Sequence, residues 1–392
     1  MGVITALGDD VQANLDALLH ERTGVGPITR LQTRHAATIP AAEIKHPNER
    51  LAEIGEVSDP YGWTRTALLS VIAVQQALRS ARVPLDGLRL GFISASTAGG
   101  MDSSEDIYGQ FFTDPVGPKA KEFVATHDPG EHTERVAGHL GITGFVTTIS
   151  TACSSSANAI MLGSRMIRAG KLDAAIVGGS DALSKYTING FNSLMILDHQ
   201  PCRPFDRSRT GLNLGEAAGY LVIMSDEALR RTGGTSLGRV SGHANTNEAF
   251  HATASSPEGE GAFLAMSQAL SDAGLTAGDI HHVNVHGTGT LNNDLSESRA
   301  LVRLFSDRVP PFTSTKTYTG HTLAAAGVVE AIYALLAIRL GAHFATLRFA
   351  HPMTEVPLVP VLKSSTGHSM QHVLSSSFGF GGNNTSLVIS AP

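Results

Sequence analysis

Three short stretches of this chain hold residue types that can do acyl chemistry. Cys153 sits in Ser150-Thr151-Ala152-Cys153-Ser154-Ser155-Ser156, between a β-branched run and a helix-like one. His286 ends an apolar run and is followed by Gly287-Thr288-Gly289-Thr290, and Lys316-Thr317-Tyr318-Thr319-Gly320-His321 pairs a lysine with a second histidine. A thiol at a helix start can carry an acyl group as a thioester. The positive helix end and its free N–H groups are expected to lower the cysteine pKa toward the reactive thiolate. Alone, Cys153 reads as a buried packing residue and His286 as a satisfied core histidine; together with Lys316 and His321 they read as a site for thioester carbon chemistry.

The elements that must position these groups follow from periodicity. Residues 146–151 read as a strand, 154–169 as a helix and Asp173 to Gly179 as a buried strand with a glycine stop, a β-α-β unit with Cys153 at its turn. Arg89 to Ser96 is another buried strand, ending in the small-residue loop Thr97-Ala98-Gly99-Gly100. Strands follow at 220–224, 238–243 and 281–285, the last leading into His286, with an amphipathic helix bearing Phe263, Met266 and Leu270 between the last two. Thr322 to Leu340 is apolar on nearly every face and predicts a buried helix, with Glu330 in its middle. A buried carboxylate needs a partner, so Glu330 should meet Lys316, a histidine, a backbone donor or an ion. The final strands, 372–377 and Thr385 to Ile389, flank Phe378-Gly379-Phe380-Gly381-Gly382. That loop is no GxGxxG phosphate cradle and no Lys-Ser/Thr follows it, which argues against nucleotide binding. Its glycines would let backbone donors approach a reacting centre, with an aromatic as a door. Metal binding by His286 and His321 finds no third ligand at useful spacing.

Composition narrows the class. The chain has 392 residues, 42% hydrophobic and 16% charged, with 41 glycines, which suits a compact α/β enzyme of two halves, divided near residue 235. Net charge of −6 and a pI near 6.3 provide no basic surface for nucleic acid. Cys153 and Cys202, 49 positions apart, form no disulfide framework, which fits a reducing, cytoplasmic setting. No apolar run approaches the ~20 residues of a membrane span. Met1 to Gly8 is no signal peptide and reads as the end of a strand and its turn, as though the start cuts into the first strand. Phe111 to Arg135, rich in Pro, Lys, Asp, Glu and His, reads as a surface or interface excursion.

These motifs, with Pro201-Cys202-Arg203-Pro204-Phe205-Asp206, make the chain resemble the elongating β-ketoacyl-ACP synthases, the condensing enzymes of type II fatty acid and polyketide synthesis, from Gly2 to Ile389. The resemblance implies an α/β thiolase fold: two similar halves, 1–235 carrying Cys153 and 236–392 carrying both histidines and Lys316, in a five-layered α-β-α-β-α arrangement. It implies a dimer and an acyltransferase in which Cys153 takes the chain from acyl carrier protein (ACP). The N–H groups of Cys153 and Phe380 would form the oxyanion hole, and His286 and His321 would hold the malonyl thioester oxygen. Lys316 and Glu330 would orient the histidines, and Asp294 would support the loop after His286. Thr288 and Thr290 would hold the pantetheine arm, Phe380 would gate, and Phe378 and Ala98 would line the substrate site. No cofactor or metal is implied. Chain-initiating synthases pair Cys with His and Asn, thiolases use a second cysteine, and a chain-length factor lacks the nucleophile; the partner is a second copy or such a factor.

Departures from the fatty-acid pattern bear on the substrate. Thr210 and Leu212 stand where Asp and Phe are usual, and Asn383-Asn384 replaces Thr-Asn. Ala98 is small where relatives limit the acyl pocket, which would leave the pocket long, and Thr126-His127-Asp128-Pro129 is polar where they are apolar, which points to a chain that is not simply saturated, such as a polyene or aryl-bearing one. For docking an acidic carrier, Arg65, Arg203, Arg207 and Arg209 are the candidates.

Overall fold

The computed structural model describes residues 1–82, 87–117, 125–306 and 308–392, without the side chains of residues 110 and 111. Two five-stranded sheets organise the chain. The first holds β1 (Gly2–Thr5), β2 (Leu90–Ala95), β3 (Phe145–Ile149), β4 (Ala174–Asp181) and β5 (Ala217–Met224), in the spatial order β3-β2-β4-β5-β1. The second holds β6 (Arg239–Asn247), β7 (His282–Asn284), β8 (Phe312–Thr313), β9 (His372–Gly379) and β10 (Asn383–Ser390), ordered β8-β7-β9-β10-β6. In both sheets the first three strands in space run parallel, the fourth runs antiparallel to them and the fifth antiparallel to the fourth. Numbering strands within each half, both orders read 3-2-4-5-1, so the two halves are copies of one topology.

Helices fill the layers around the sheets. α1 (Arg65–Ala81) covers the outer face of the first sheet, and α4 (Glu260–Ala273) with α5 (Leu291–Phe305) covers that of the second. Between the sheets lie α2 (Ser155–Arg168) and α6 (Ala326–Leu340), giving the five-layer order. α6 reads Ala-Gly-Val-Val-Glu-Ala-Ile-Tyr-Ala-Leu-Leu-Ala-Ile-Arg-Leu and stops at Gly341 in the left-handed conformation (φ 56°). A helix apolar all round must be enclosed. Val328 and Ile332 therefore share one core with Ile160 and Val177 of the first half and Val373 and Leu387 of the second. The expectation that no apolar run approaches a membrane span is corrected here, since Leu323–Leu340 has that length and hydropathy, but 89% of the window is buried inside the protein. Where α2 and α6 cross, a Cβ on Gly327 would lie 2.8 Å from Ala157, so glycine permits the contact.

The elements that sequence periodicity predicted lie within a few residues of their places, β6 and β10 being longer because they pair with each other along their whole length, whereas α1, α5 and β8 were not predicted. β1 pairs with only Ala217 to Tyr220 of the eight-residue β5, and a cavity of about 440 Å³ runs beside Met1 and Leu221 to Met224. The expected excursion 111–135 is only partly one. Residues 118–124 lie outside the described residues, but Thr126, His132 and Thr133 are buried. His132 closes a buried chain in which Tyr220 Oη meets Ser70 Oγ (2.5 Å) and Ser94 Oγ (2.6 Å), and Ser94 Oγ meets His132 Nε2 (2.9 Å). Thr126 to Pro129 lies against the glycine pair Gly99-Gly100.

Candidate active site

Cys153 arrives on an elbow. After β3, Ala152 takes a left-handed φ of 52°, a conformation that costs a non-glycine residue about 1–2 kcal/mol. Ser155, the first residue of α2, pins the elbow: its Oγ accepts the Thr151 N–H (2.8 Å) and donates to Ala152 O (2.6 Å). Two N–H groups face the sulfur, those of Phe380 and of Cys153 itself. Gly379 allows this approach, because a Cβ there would stand 2.9 Å from Thr151 O and 3.3 Å from Cys153 N. The expectation of a lowered thiol pKa is corrected. Burial pushes Cys153 up to about 11, outweighing the Lys316 charge and both amides.

The second half delivers two histidines and a lysine. His286 follows β7, and Glu297 of α5 accepts the N–H groups of His286 and Gly287, each at 2.8 Å. Asp294, one turn earlier on α5, accepts the N–H of Gly289 (3.1 Å), in the loop after His286, and that of Phe205 (2.8 Å). Burial pushes the Glu297 carboxyl up to about 8 and raises Asp294 as well. Lys316 Nζ lies 3.3 Å from His286 Nδ1 and forms a buried ion pair with Glu330, which settles the partner of that carboxylate. Burial lifts Glu330 to about 7 against the pull of Lys316.

His321 is held by its own backbone, whose N–H donates to Asn213 O at 2.7 Å, and its Nδ1 accepts the Leu323 N–H at 3.1 Å. Burial, then the Lys316 charge, holds both imidazoles well below the ordinary histidine range, so they are neutral. An ammonium only donates, so His286 Nδ1 is also an acceptor. Each ring therefore carries its single proton on Nε2. The ligand atoms of Cys153, His286 and His321 lie within 4.8 Å of one another, so Cys153 is the third group that spacing alone did not offer for a metal. The tautomer of His321 nevertheless aims an N–H into the site, which suits a carbonyl oxygen and not a cation.

Cys153, both histidines, Phe378, Phe380, Thr288 and Thr290 line one cavity of about 230 Å³. Thr288 Oγ1 and Thr290 Oγ1 are 2.9 Å apart, and Thr290 also caps α5 by accepting the Asn293 N–H. Phe380 stacks on Phe191 of α3 (Lys185–Ser193) at 5.7 Å and 22°, and Phe191 in turn presents an edge to His321. Ala98 is not among the lining residues. It is buried on the loop after β2, where Asp181 accepts the N–H groups of Thr97 and Ala98, the Ser96 hydroxyl and, from the second half, the Ala324 N–H (2.8 Å).

Among the arginines, Arg65 is corrected outright: it is buried, bonding Glu216 through Nε and Nη2 and capping Ile44 O. Arg209 is buried too, donating to Asp206 O and Leu291 O. Arg203 is partly covered and bonds Asp198, which leaves Arg207 as the exposed one of the four. Phe191, Asp181 and Glu297 were missed. Glu297 had a signal, one turn from Asp294 on the helix that follows the His286 loop; Phe191 and Asp181 had none short of the folded chain.

A duplicated 3-2-4-5-1 sheet pair sandwiching two buried helices, with a cysteine elbow facing two histidines and a lysine, defines a thiolase-fold acyltransferase. Residues 1–228 match the β-ketoacyl synthase N-terminal domain and residues 237–350 the β-ketoacyl synthase C-terminal domain. The chain is 31% identical over 399 aligned residues to 3-oxoacyl-(acyl-carrier-protein) synthase 2 of Staphylococcus aureus, covering 99% of this chain and 98% of that one. Two examples stand for the solved structures that match all of this chain. One is the ishigamide ketosynthase/chain length factor (TM-score 0.92, 28% identity, 97% of that chain covered). The other is a ketosynthase in complex with its chain length factor from Xenorhabdus doucetiae (TM-score 0.83, 32% identity, 96% covered). The chain belongs to the β-ketoacyl synthase family and is a ketosynthase.

Proposed function

We propose that this ketosynthase elongates acyl chains by decarboxylative Claisen condensation, with both substrates delivered on acyl carrier protein. The Cys153 thiol displaces the carrier thiol from an acyl thioester, its proton leaving with that thiol, while the N–H groups of Cys153 and Phe380 receive the oxyanion. Malonyl-ACP then enters, its thioester oxygen accepting from Nε2–H of His286 and His321. CO2 departs, and the enolate carbon attacks the acyl carbonyl. The Cys153 sulfur is expelled and takes up a proton, and the product is a 3-oxoacyl-ACP two carbons longer. Lys316, paired with Glu330, fixes the His286 tautomer; Leu323 N–H fixes that of His321. Thr288 and Thr290 hold the pantetheine arm, Phe380 gates the entrance against Phe191, and Arg207 meets the acidic carrier.

The observation that carries this reading is the pair of neutral imidazoles with their protons on Nε2, facing the cysteine sulfur across one small cavity. Two N–H donors suit an enolate oxygen. We place the division of labour near residue 235 and the protein in the cytoplasm as a dimer. A second reading, that the chain is the catalytic half of a heterodimer with a chain-length factor in polyketide or polyene synthesis, is favoured by its 32% identity to a ketosynthase solved with such a partner. A non-catalytic chain-length subunit is the less favoured form of it, since such a subunit has no use for the pinned Cys153 elbow.

Intact-protein mass tests both. Wild type and Cys153→Ala are incubated with saturated, unsaturated and aryl acyl-ACPs, then with malonyl-ACP. An adduct on wild type only, discharged as a chain two carbons longer, is the expected result, and the donor that loads best names the substrate class. An adduct that survives in Cys153→Ala would sink the assignment of the nucleophile. No adduct until a chain-length factor is added would favour the heterodimer.

A further inference from the structure

Beneath the cysteine elbow lies a closed ring of buried and half-buried polar side chains. Asn158 Nδ2 donates to Asn383 Oδ1 (2.9 Å), Asn383 Nδ2 to Asn245 Oδ1 (3.3 Å), Asn245 Nδ2 to Thr385 Oγ1 (2.8 Å), and Thr385 Oγ1 to Asn158 Oδ1 (2.8 Å). Every member gives a proton and receives one, so the ring dictates the orientation of all three amides. Asn383 is its hub: Asn245 Nδ2 (2.7 Å) and Ser154 Oγ (2.7 Å) also point at its Oδ1. Asn158 spends its second proton on Thr151 Oγ1 (2.8 Å), just before the elbow.

The ring bridges the two halves. Asn158 belongs to α2, Asn245 to β6, Asn383 and Thr385 to β10. Ser154 directly follows Cys153, and Asn383 comes three residues after Phe380. Between Phe380 and Asn383 lie Gly381 and Gly382, both at φ 80°, a pair that provides little stiffness of its own. The two turns tied by the ring thus carry the two N–H groups that face the Cys153 sulfur. The imidazoles sit on other loops, and none of the ring's bonds reaches them.

We infer that the amide ring sets the separation of the Cys153 and Phe380 N–H groups, making Asn383, with Asn158 and Asn245, a positioning residue for the oxyanion hole of acyl transfer. This rests on the proposed role of those two N–H groups. Oxyanion donors act through preorganised distance, and a displacement near 1 Å costs on the order of 100-fold in rate. Loss of the ring should therefore slow loading of Cys153 and spare the decarboxylation that the histidines support.

The test measures two partial reactions on Asn383→Ala, Asn245→Ala and Asn383→Thr: single-turnover loading from the acyl-ACP that loads wild type best, and CO2 release from malonyl-ACP. In the two alanine variants loading is expected to fall about 10- to 100-fold, with CO2 release within about threefold of wild type, and Asn383→Thr, which restores a hydroxyl acceptor, should regain part of the loss. Equal loss in both reactions would overturn the inference and mark the ring as merely structural; unchanged loading in both alanine variants would overturn it too. Should Asn383→Ala not fold, Asn245→Ala, which keeps the Asn158–Asn383 bond, carries the same comparison. A wild type that releases CO2 but never loads Cys153 would bring down the underlying assignment instead.

Discussion

The two halves share one topology and use it differently. In both, strand 3 leads into a helix of the buried middle layer, α2 in the first half and α6 in the second. The first half makes that connection with the tight elbow of Ala152 and Cys153, so a thiol stands at the helix start. The second spends a longer link on Lys316, the neutral His321 and the turn 323–325 before α6 begins. After strand 2 the first half has the small loop 96–100, tethered by Asp181, and the second has His286 to Thr290, tethered by Glu297 and Asp294. A duplicated scaffold thus brings equivalent strand ends together and leaves chemistry to whichever loop each end carries. Under the proposed mechanism, acyl transfer belongs mainly to the first half and enolate formation to the second.

That division breaks most visibly at the histidines. Removing one oxyanion donor typically costs about 10²–10³ in rate, so His321→Ala and His286→Ala should each lower CO2 release from malonyl-ACP by about that factor. Loading of Cys153 should fall less than about tenfold, because the N–H groups of Cys153 and Phe380 remain. Stopped single-turnover assays separate the two steps. If loading fell as far as decarboxylation, the histidines would be serving Cys153 and the halves would not be divided as described.

Much of this was readable from sequence because its signals were local. The strand-Cys-helix context of Cys153, the glycines after His286 and the apolar helix around Glu330 each follow from short-range rules about caps, turns and periodicity. The Cys153 pKa was misjudged for a reason outside that range. Helix-end charge is visible in a sequence, whereas the desolvation that outweighs it depends on which loops close over the sulfur. Arg65 failed similarly: nothing near it in sequence announces Glu216, 151 positions away. The Asn158–Asn245–Asn383 ring was visible only as an unusual asparagine pair, since its members meet through the packing of the two halves.

The carboxylate tethers sharpen the comparison. Asp181 accepts from the Thr97, Ala98 and Ala324 N–H groups and so binds one half to the other; Glu297 accepts from two N–H groups within one half. Each buried donor left unsatisfied costs about 1–3 kcal/mol. Asp181→Ala, which orphans three N–H donors, should therefore lose about 3–9 kcal/mol and Glu297→Ala, which orphans two, about 2–6, read from urea midpoints with unchanged slope. Equal losses would mean that the contact between the halves adds nothing at Asp181.

The thiol itself provides the subtlest test, because helix start and burial oppose one another at one atom. The ordinary cysteine value is near 9, and burial takes Cys153 to about 11. A raised thiol pKa leaves less thiolate at any pH below it, so alkylation by iodoacetamide should still be climbing roughly tenfold per pH unit through pH 9 and should level off only near 11. Cys153→Ala supplies the background from Cys202, which is also buried and raised. Loading of Cys153 from acyl-ACP should rise over the same pH range, because the thiolate is the attacking species there too. A plateau at or below pH 8 in the alkylation rate would mean that the helix end and the two amides win at the sulfur after all, and that the first half activates its nucleophile before substrate arrives.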